Sequence, residues 1–175
     1  MPATIRRAAA TDALAIADVK SESWRASYRE FVPQSVLDSM NAENVRRNWL
    51  GVRESELVDC GLVLDAGTAL LGFSLFGAAI DATHGFTGQL YEIYLRPSAL
   101  GQGFGAALFR EAANLLCDAG HDTMIVWVFE ANAIARRFYE RLGGELIANV
   151  SLVTELGDKK LREVAYGFRS LGDLR

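Results

Sequence analysis

Apolar and polar residues alternate along this chain with the periods of both helices and strands. Close to the N-terminus, apolar residues recur at helical spacing, at Leu14, Ile16, Val19 and Trp24. Thr11 and Asp12 are both of the residue type that caps such a helix. Residues 123–129, TMIVWVF, are almost continuously apolar, which is typical of a strand buried on both faces. The pattern therefore predicts a protein that mixes the two kinds of element.

The same patterns predict the order of the elements along the whole chain. Strands are expected at residues 4–8, 57–65, 69–80, 88–95, 123–129, 145–153 and 161–168. Helices are expected after residue 12 and at residues 33–40, 42–50, 103–119 and 133–142. This order favours one α/β domain over residues 1–175, with a mixed, mostly antiparallel sheet of about seven strands and helices on both faces.

The most informative local signal is a glycine-rich loop after the fourth predicted strand. Gly101, Gly103 and Gly105 open an alanine-rich helix. Glycines allow successive backbone N–H groups to converge on an anion, and the following helix adds the positive end of its dipole. We therefore expect this loop to hold a phosphate group.

Two other interpretations compete for the loop, since glycines also serve ordinary strand-to-helix turns. Gly101, Gly103 and Ala106, with Asp122 further on, formally match a dinucleotide-binding fingerprint. A dinucleotide domain, however, carries its glycines after its first strand. The absence of Gly-Lys-Ser/Thr after the glycines rules out a Walker A loop.

A second motif lies in the predicted helix at residues 133–142. Asn132 is a candidate N-cap, and Ala135, Phe138, Tyr139, Leu142 and Gly143 follow at helical intervals. An amphipathic helix explains the apolar positions but not a tyrosine beside them. Together, in this order and spacing, the two segments resemble the GCN5-related N-acetyltransferase (GNAT) superfamily. Leu100 departs from its usual loop, which begins with Gln or Arg.

This resemblance assigns acetyl-CoA as the cofactor and implies which residues bind it. The fourth and fifth strands would splay apart, leaving backbone groups that the cofactor satisfies. The pantetheine arm would meet the backbone of Ile93, Tyr94 and Leu95. The pyrophosphate would meet the backbone amides of Gly101, Gln102, Gly103, Phe104, Gly105 and Ala106. Asn132 and Phe138 would contact the cofactor from the second motif.

The resemblance also implies catalytic roles. Tyr139 matches the family position that protonates the departing CoA thiolate, and a phenol, with an ordinary pKa near 10, is a reasonable donor. Gln89 and Trp127 occupy two positions where members of the family place a general base, and neither side chain accepts a proton. Glu92 is the nearest carboxylate and is the predicted base; the alternative is that it is solvated or ion-paired.

The acceptor site is expected near Trp24 and Tyr28, which lie four residues apart on one helical face, and near Gln89. Packing in the core is the alternative for the two aromatic residues. The resemblance implies acetyl transfer to a primary amine, in a small molecule, peptide or protein, by direct attack in a ternary complex. A non-catalytic acyl-CoA sensor is the alternative function, followed by a nicotinamide-dependent oxidoreductase.

The composition of the chain limits which binding partners are expected. The net charge is −4, from 22 acidic and 18 basic residues, which disfavours a nucleic-acid partner. Cys60, Cys117, His84 and His121 lack the spacing of metal ligands, so no metal site is expected. No signal peptide or membrane-spanning run is visible, which predicts a cytoplasmic protein without a membrane partner. A homodimer is compatible with the sequence.

Overall fold

The computed structural model describes residues 3–45, 47 and 60–174. The strands are β1 (Thr4–Arg7), β2 (Gly61–Asp65), β3 (Leu70–Ala78), β4 (Gly88–Leu95), β5 (Met124–Phe129), β6 (Glu145–Leu156) and β7 (Lys159–Phe168). The helices are α1 (Ala13–Tyr28), α2 (Gln34–Ser39), α3 (Ala42–Val45), α4 (Phe104–Asp118) and α5 (Ala133–Arg141). Short 3₁₀ turns connect several of them.

The strands form a mixed sheet in the order β1-β2-β3-β4-β5-β7-β6. The pairs β1–β2, β2–β3, β5–β7 and β6–β7 are antiparallel. Strand β4 pairs with β5 in parallel, through Gly88–Leu90 against Met124–Val126, and both strands continue past this short stretch. The predicted mixed, mostly antiparallel α/β fold is confirmed.

The observed element boundaries lie within a few residues of the predicted ones where the chain is described. Strand β4 begins and ends as expected, and β6 extends further than expected, to Leu156. The predicted helix at residues 42–50 and the strand at 57–65 are seen only in part, because residues 46 and 48–59 lie outside the described residues. In the described ranges, no helix is both long and apolar enough to cross a bilayer.

The chain divides into two compact units. The first unit comprises Met1–Leu75 and Glu92–Phe109, and the second comprises Phe76–Tyr91 and Arg110–Arg175. In the first unit, α1 buries Ile16 and Val19 completely, as the helical spacing predicts, whereas Leu14 of the same series is 52% exposed. In the second unit, Phe86, Ile125 and Ala165 form a buried cluster.

Helix α1 begins without the predicted side-chain cap. The Asp12 carboxylate instead accepts hydrogen bonds from the Arg6 guanidinium at 2.7 and 2.9 Å and from the Ala9 amide at 2.8 Å. The Arg6 guanidinium holds the pKa of Asp12 below its usual range. These charge-assisted hydrogen bonds engage the carboxylate, so Asp12 ties β1 to the start of α1.

Gly72 allows β3 and β4 to approach closely. A Cβ atom at this position would lie 2.9 Å from the Tyr94 carbonyl oxygen and would also overlap the Leu95 side chain. We expect Gly72→Ala to lower the free energy of unfolding by about 1–3 kcal/mol, because paired strand backbone cannot move aside cheaply. Urea unfolding measures the change. Gly172→Ala is the matched control, since nothing lies within 4 Å of its added Cβ; equal losses would contradict the explanation.

Candidate active site

Two glycines of the loop use a backbone conformation that other residues disfavour. Gly101 and Gly103 have φ angles of 74° and 83°, in the left-handed region that side chains disfavour. The Gln102 side chain closes the turn by donating to the Ser98 carbonyl oxygen at 2.8 Å. Leu100 is 56% exposed, so its side chain takes no part in the core.

Helix α4 starts directly after these glycines. Its first hydrogen bond runs from the Ala107 amide to the Gly103 carbonyl oxygen at 3.1 Å. The amides of Phe104, Gly105 and Ala106 precede that bond, and the first amides of a helix have no partner within it. The loop and helix start therefore present the donors that an anion requires.

The end of β4 is held by its neighbours in the first unit. Ser23 Oγ donates to the Leu95 carbonyl oxygen at 2.6 Å, and the Arg96 amide donates to the Leu71 carbonyl oxygen at 2.8 Å. The Arg96 side chain donates to the Leu70 carbonyl oxygen at 2.8 Å and pairs with Glu22. These contacts give Arg96 a structural role and fix the backbone that precedes the loop.

Trp24 and Tyr28 meet at the hydroxyl group of Tyr94. Trp24 Nε1 donates to Tyr94 Oη at 3.0 Å, and the Tyr28 hydroxyl lies 3.3 Å from the same atom. The rings of Trp24 and Tyr28 are perpendicular, with centroids 4.8 Å apart. Burial, with Tyr28 and Glu92 nearby, raises the pKa of Tyr94 well above its ordinary value. The packing alternative accounts for these contacts, and a role in acceptor binding stays a prediction.

Glu92, the predicted general base, forms an ion pair with Lys20. Lys20 Nζ lies 2.6 Å from Glu92 Oε1, and the two side chains are only 11% and 16% exposed. The pair joins α1 to β4, as the ion-paired alternative for Glu92 proposed. The sequence shows that Lys20 lies one helical turn before Trp24, because Lys20, Trp24 and Tyr28 are spaced by four residues. Lys20 could therefore have been placed on the same helical face as the aromatic pair.

In the second unit, Asn132 caps α5 as predicted. Its Oδ1 accepts a hydrogen bond from the Ala135 amide at 3.1 Å. Tyr139 is 6% exposed, and its ring contacts those of Phe138 and Tyr166, with centroids 5.2 and 6.1 Å away. The predicted proton donor is therefore held in a defined position rather than on the open surface.

Tyr166 was not predicted as part of the site, although it fixes α5. Its hydroxyl donates to Glu140 Oε1 at 2.7 Å and accepts from Arg136 Nε at 3.2 Å. Burial raises the pKa of Tyr166, so the hydroxyl stays protonated and remains a donor. The sequence shows that Arg136 and Glu140 are four residues apart, on either side of Tyr139. It does not show that both bind Tyr166, because Tyr166 lies on a distant strand.

Gln89 is buried, and its Oε1 accepts a hydrogen bond from the Ile80 amide at 3.1 Å. The side chain thus tethers the segment between β3 and β4. In the same segment, the His84 ring packs edge-on against Trp127 of β5, with centroids 5.9 Å apart. The sequence offered no signal for this contact, because the two residues are distant along the chain.

Comparison with known proteins identifies the family. The model of the acetyltransferase (GNAT) family matches residues 20–144. The chain belongs to the GNAT family. It is 32% identical over 172 residues to the uncharacterized N-acetyltransferase YuaI of Bacillus subtilis (strain 168), a match that covers 98% of this chain and 96% of that protein.

Two solved GNAT-like structures share the fold. The PaiA N-acetyltransferase of Thermoplasma acidophilum, in complex with coenzyme A, is 20% identical with a TM-score of 0.69, covering 96% of this chain and 100% of its own. YncA of Salmonella typhimurium, with its cofactor acetyl-CoA, is 19% identical with a TM-score of 0.70, covering 97% and 94%. Family, fold and acetyl-CoA-dependent acetyltransferase activity are confirmed as predicted.

The Lys20–Glu92 pair predicts a stability effect in this GNAT protein. We expect Lys20→Met to lower the free energy of unfolding by about 3 kcal/mol, because the change leaves a buried carboxylate without its cation. Urea unfolding measures the loss. Lys160→Met is the matched control: its pair with Glu155 is 74% and 69% exposed and should contribute little. Similar losses in the two variants would contradict the importance of burial.

Proposed function

We propose that this chain, acting as one domain over residues 1–175, transfers the acetyl group of acetyl-CoA to a primary amine. The observation that carries the proposal is the loop in which Gly101 and Gly103 take left-handed φ angles immediately before α4. Family membership supplies the activity, and this loop supplies a fitting place for the cofactor's phosphates.

The residues present fit coenzyme A. A side chain at Gly101 or Gly103 would strain the turn, so the glycines keep the backbone donors uncovered. Backbone amides of residues 101–106 would hold the pyrophosphate, and the backbone of Ile93, Tyr94 and Leu95 would bind the pantetheine arm. Asn132 and Phe138 would contact the cofactor from α5. When bound, acetyl-CoA supplies an acetyl group activated as a thioester.

Tyr139 would act on the leaving group. Its hydroxyl would hold the proton that the departing sulfur takes, while a backbone N–H of β4 would polarise the acetyl carbonyl. The rings of Phe138 and Tyr166 hold the Tyr139 ring in place, so its hydroxyl group would donate in one fixed direction. Direct attack by the amine requires no covalent enzyme intermediate.

The acceptor would bind near Trp24, Tyr28 and Gln89. Trp24 is half-buried, whereas Tyr28 is 8% exposed, so Trp24 is the better candidate for direct contact. Glu92 stays the sequence-based candidate for the general base, although its ion pair with Lys20 already gives it a structural role. The acceptor would be an amine of a small molecule, a peptide or a protein. The proposal includes no nucleic-acid or membrane partner. It also includes a homodimer and a cytoplasmic location.

Coenzyme A binding tests the loop. We expect Gly103→Ala to weaken the affinity for coenzyme A by about tenfold, because alanine disfavours the required φ by roughly 1–2 kcal/mol. Isothermal titration calorimetry with coenzyme A measures the change. Gly172→Ala, which alters a glycine outside the left-handed region, should bind as the wild type does. Failure of the wild-type protein to bind coenzyme A would overturn the proposed function.

Acetyl transfer tests Tyr139. In a panel of amino acids, spermidine, aminoglycosides and peptides with free N-termini, release of free CoA identifies an acceptor. With that acceptor, we expect Tyr139→Phe to lower kcat at least about a hundredfold, while the dissociation constant for coenzyme A stays unchanged. An unchanged kcat would remove Tyr139 from the mechanism. No turnover of any amine by wild type, with coenzyme A still bound, would favour the acyl-CoA sensor.

A further inference from the structure

Acetyl transfer to an amine leaves a proton on nitrogen that the enzyme must remove. The position on β4 where the family places a carboxylate holds Gln89, and its carbonyl oxygen is engaged by the Ile80 amide. An amide side chain does not accept a proton at neutral pH. The equivalent position on β5 holds Trp127, which donates only. A proton acceptor must come from elsewhere.

His84 contacts the side chain at the second of these two positions, Trp127. It ends the short 3₁₀ turn Ala82–His84 between β3 and β4, and its ring contacts that of Trp127 at 5.9 Å. Trp127 directly follows Val126, the last β5 residue that pairs with β4. The imidazole therefore sits beside the point where the parallel pairing stops. Its side chain is 26% exposed, so a substrate can reach it.

The segment that carries His84 is fixed along its length. Ile80 is tethered by Gln89, and the Asp81 carboxylate accepts from the Thr83 amide at 2.8 Å. The turn closes through the Gly85 amide, which donates to the Ala82 carbonyl oxygen at 3.0 Å. A histidine on a fixed turn is a better candidate for catalysis than one on a loose loop, because a general base must be positioned.

Asp81 is placed to orient the imidazole. Its Oδ2 lies 3.7 Å from His84 Nε2, which is beyond the range of a hydrogen bond and within that of an ion pair with the protonated imidazole. Hydrogen bonds from Thr83, and His84 nearby, hold the pKa of Asp81 below its usual range, so the carboxylate stays charged. Trp127, the neighbour from β5, is neutral. Because Nε2 is the nitrogen near Asp81, Nδ1 is the nitrogen left to accept a proton in the neutral imidazole.

We propose that His84 is the general base of this acetyltransferase, with Asp81 as its positioning residue. This inference rests on the proposed function. The amine nitrogen forms a bond to the acetyl carbon as the carbon–sulfur bond breaks. The proton on nitrogen passes to His84 Nδ1, directly or through one water, while Tyr139 gives its proton to sulfur. Bulk water then takes the proton from His84 and returns one to Tyr139.

Site-directed variants test the proposal with the acceptor found in the amine panel. We expect His84→Gln to lower kcat/KM by about a hundredfold or more and to abolish the acidic limb of its pH profile. Added imidazole should restore turnover to His84→Ala but not to Tyr139→Phe. His121→Gln is the matched control, because the chain contains only two histidines. Glu92→Gln tests the other candidate base, Glu92, in the same assay.

A readout independent of turnover uses the same two histidines. In proton–carbon NMR spectra, the imidazole Cε1–H signals are assigned with His84→Gln and His121→Gln. Adding the acceptor amine to the protein saturated with coenzyme A should move the His84 signal and leave that of His121 in place. Asp81→Asn should lower kcat/KM less than His84→Gln does, since it acts through the imidazole.

Each outcome decides between the hypotheses. A normal kcat/KM and an unchanged pH profile in His84→Gln, with wild type active, would overturn the role of His84 and leave acetyl transfer standing. Loss of the acidic limb in Glu92→Gln instead would assign the base to Glu92. No turnover by wild type with any amine would overturn both the proposed function and this inference. Binding of coenzyme A by each variant confirms that it is folded.

Discussion

The polar contacts between α1 and β4 are the constraint on which the first unit depends. The Lys20–Glu92 ion pair, the bond from Ser23 to the Leu95 carbonyl oxygen and the bond from Trp24 to Tyr94 all join these two elements. Directed bonds fix the height and rotation of a strand more tightly than apolar contacts, which are non-directional. The strand leads straight into the glycine loop, so the loop starts from a fixed backbone.

In the second unit, directed hydrogen bonds likewise fix the position of α5. Tyr166 donates to Glu140 and accepts from Arg136, one turn apart on the helix, and Asn132 caps its first turn. A buried hydroxyl with both partners satisfied stabilises one helix position, whereas an unsatisfied one would be costly. Tyr139 lies between the two anchored residues along the helix. Its position is thus set by hydrogen bonds made at neighbouring positions of the same helix.

Two residues depart from the family pattern, and the structure shows what surrounds each of them. Gln89 replaces an expected carboxylate and uses its carbonyl oxygen to tether Ile80, which fixes the segment that carries His84. Leu100 replaces a polar residue and lies exposed beside the glycine turn. A loop that binds phosphate through backbone amides tolerates the loss of one side chain, because the amides remain.

The sequence by itself determined the element order, the glycine-rich loop before α4 and the Asn132 cap, because periodicity, glycine and N-cap preferences act over a few residues. It also placed Trp24, Tyr28 and Glu92 on their elements. Only the tertiary structure decided their partners: Tyr94 for the aromatic pair, Lys20 for Glu92, Tyr166 for α5 and Trp127 for His84. Such contacts join residues far apart along the chain, and no local preference encodes them.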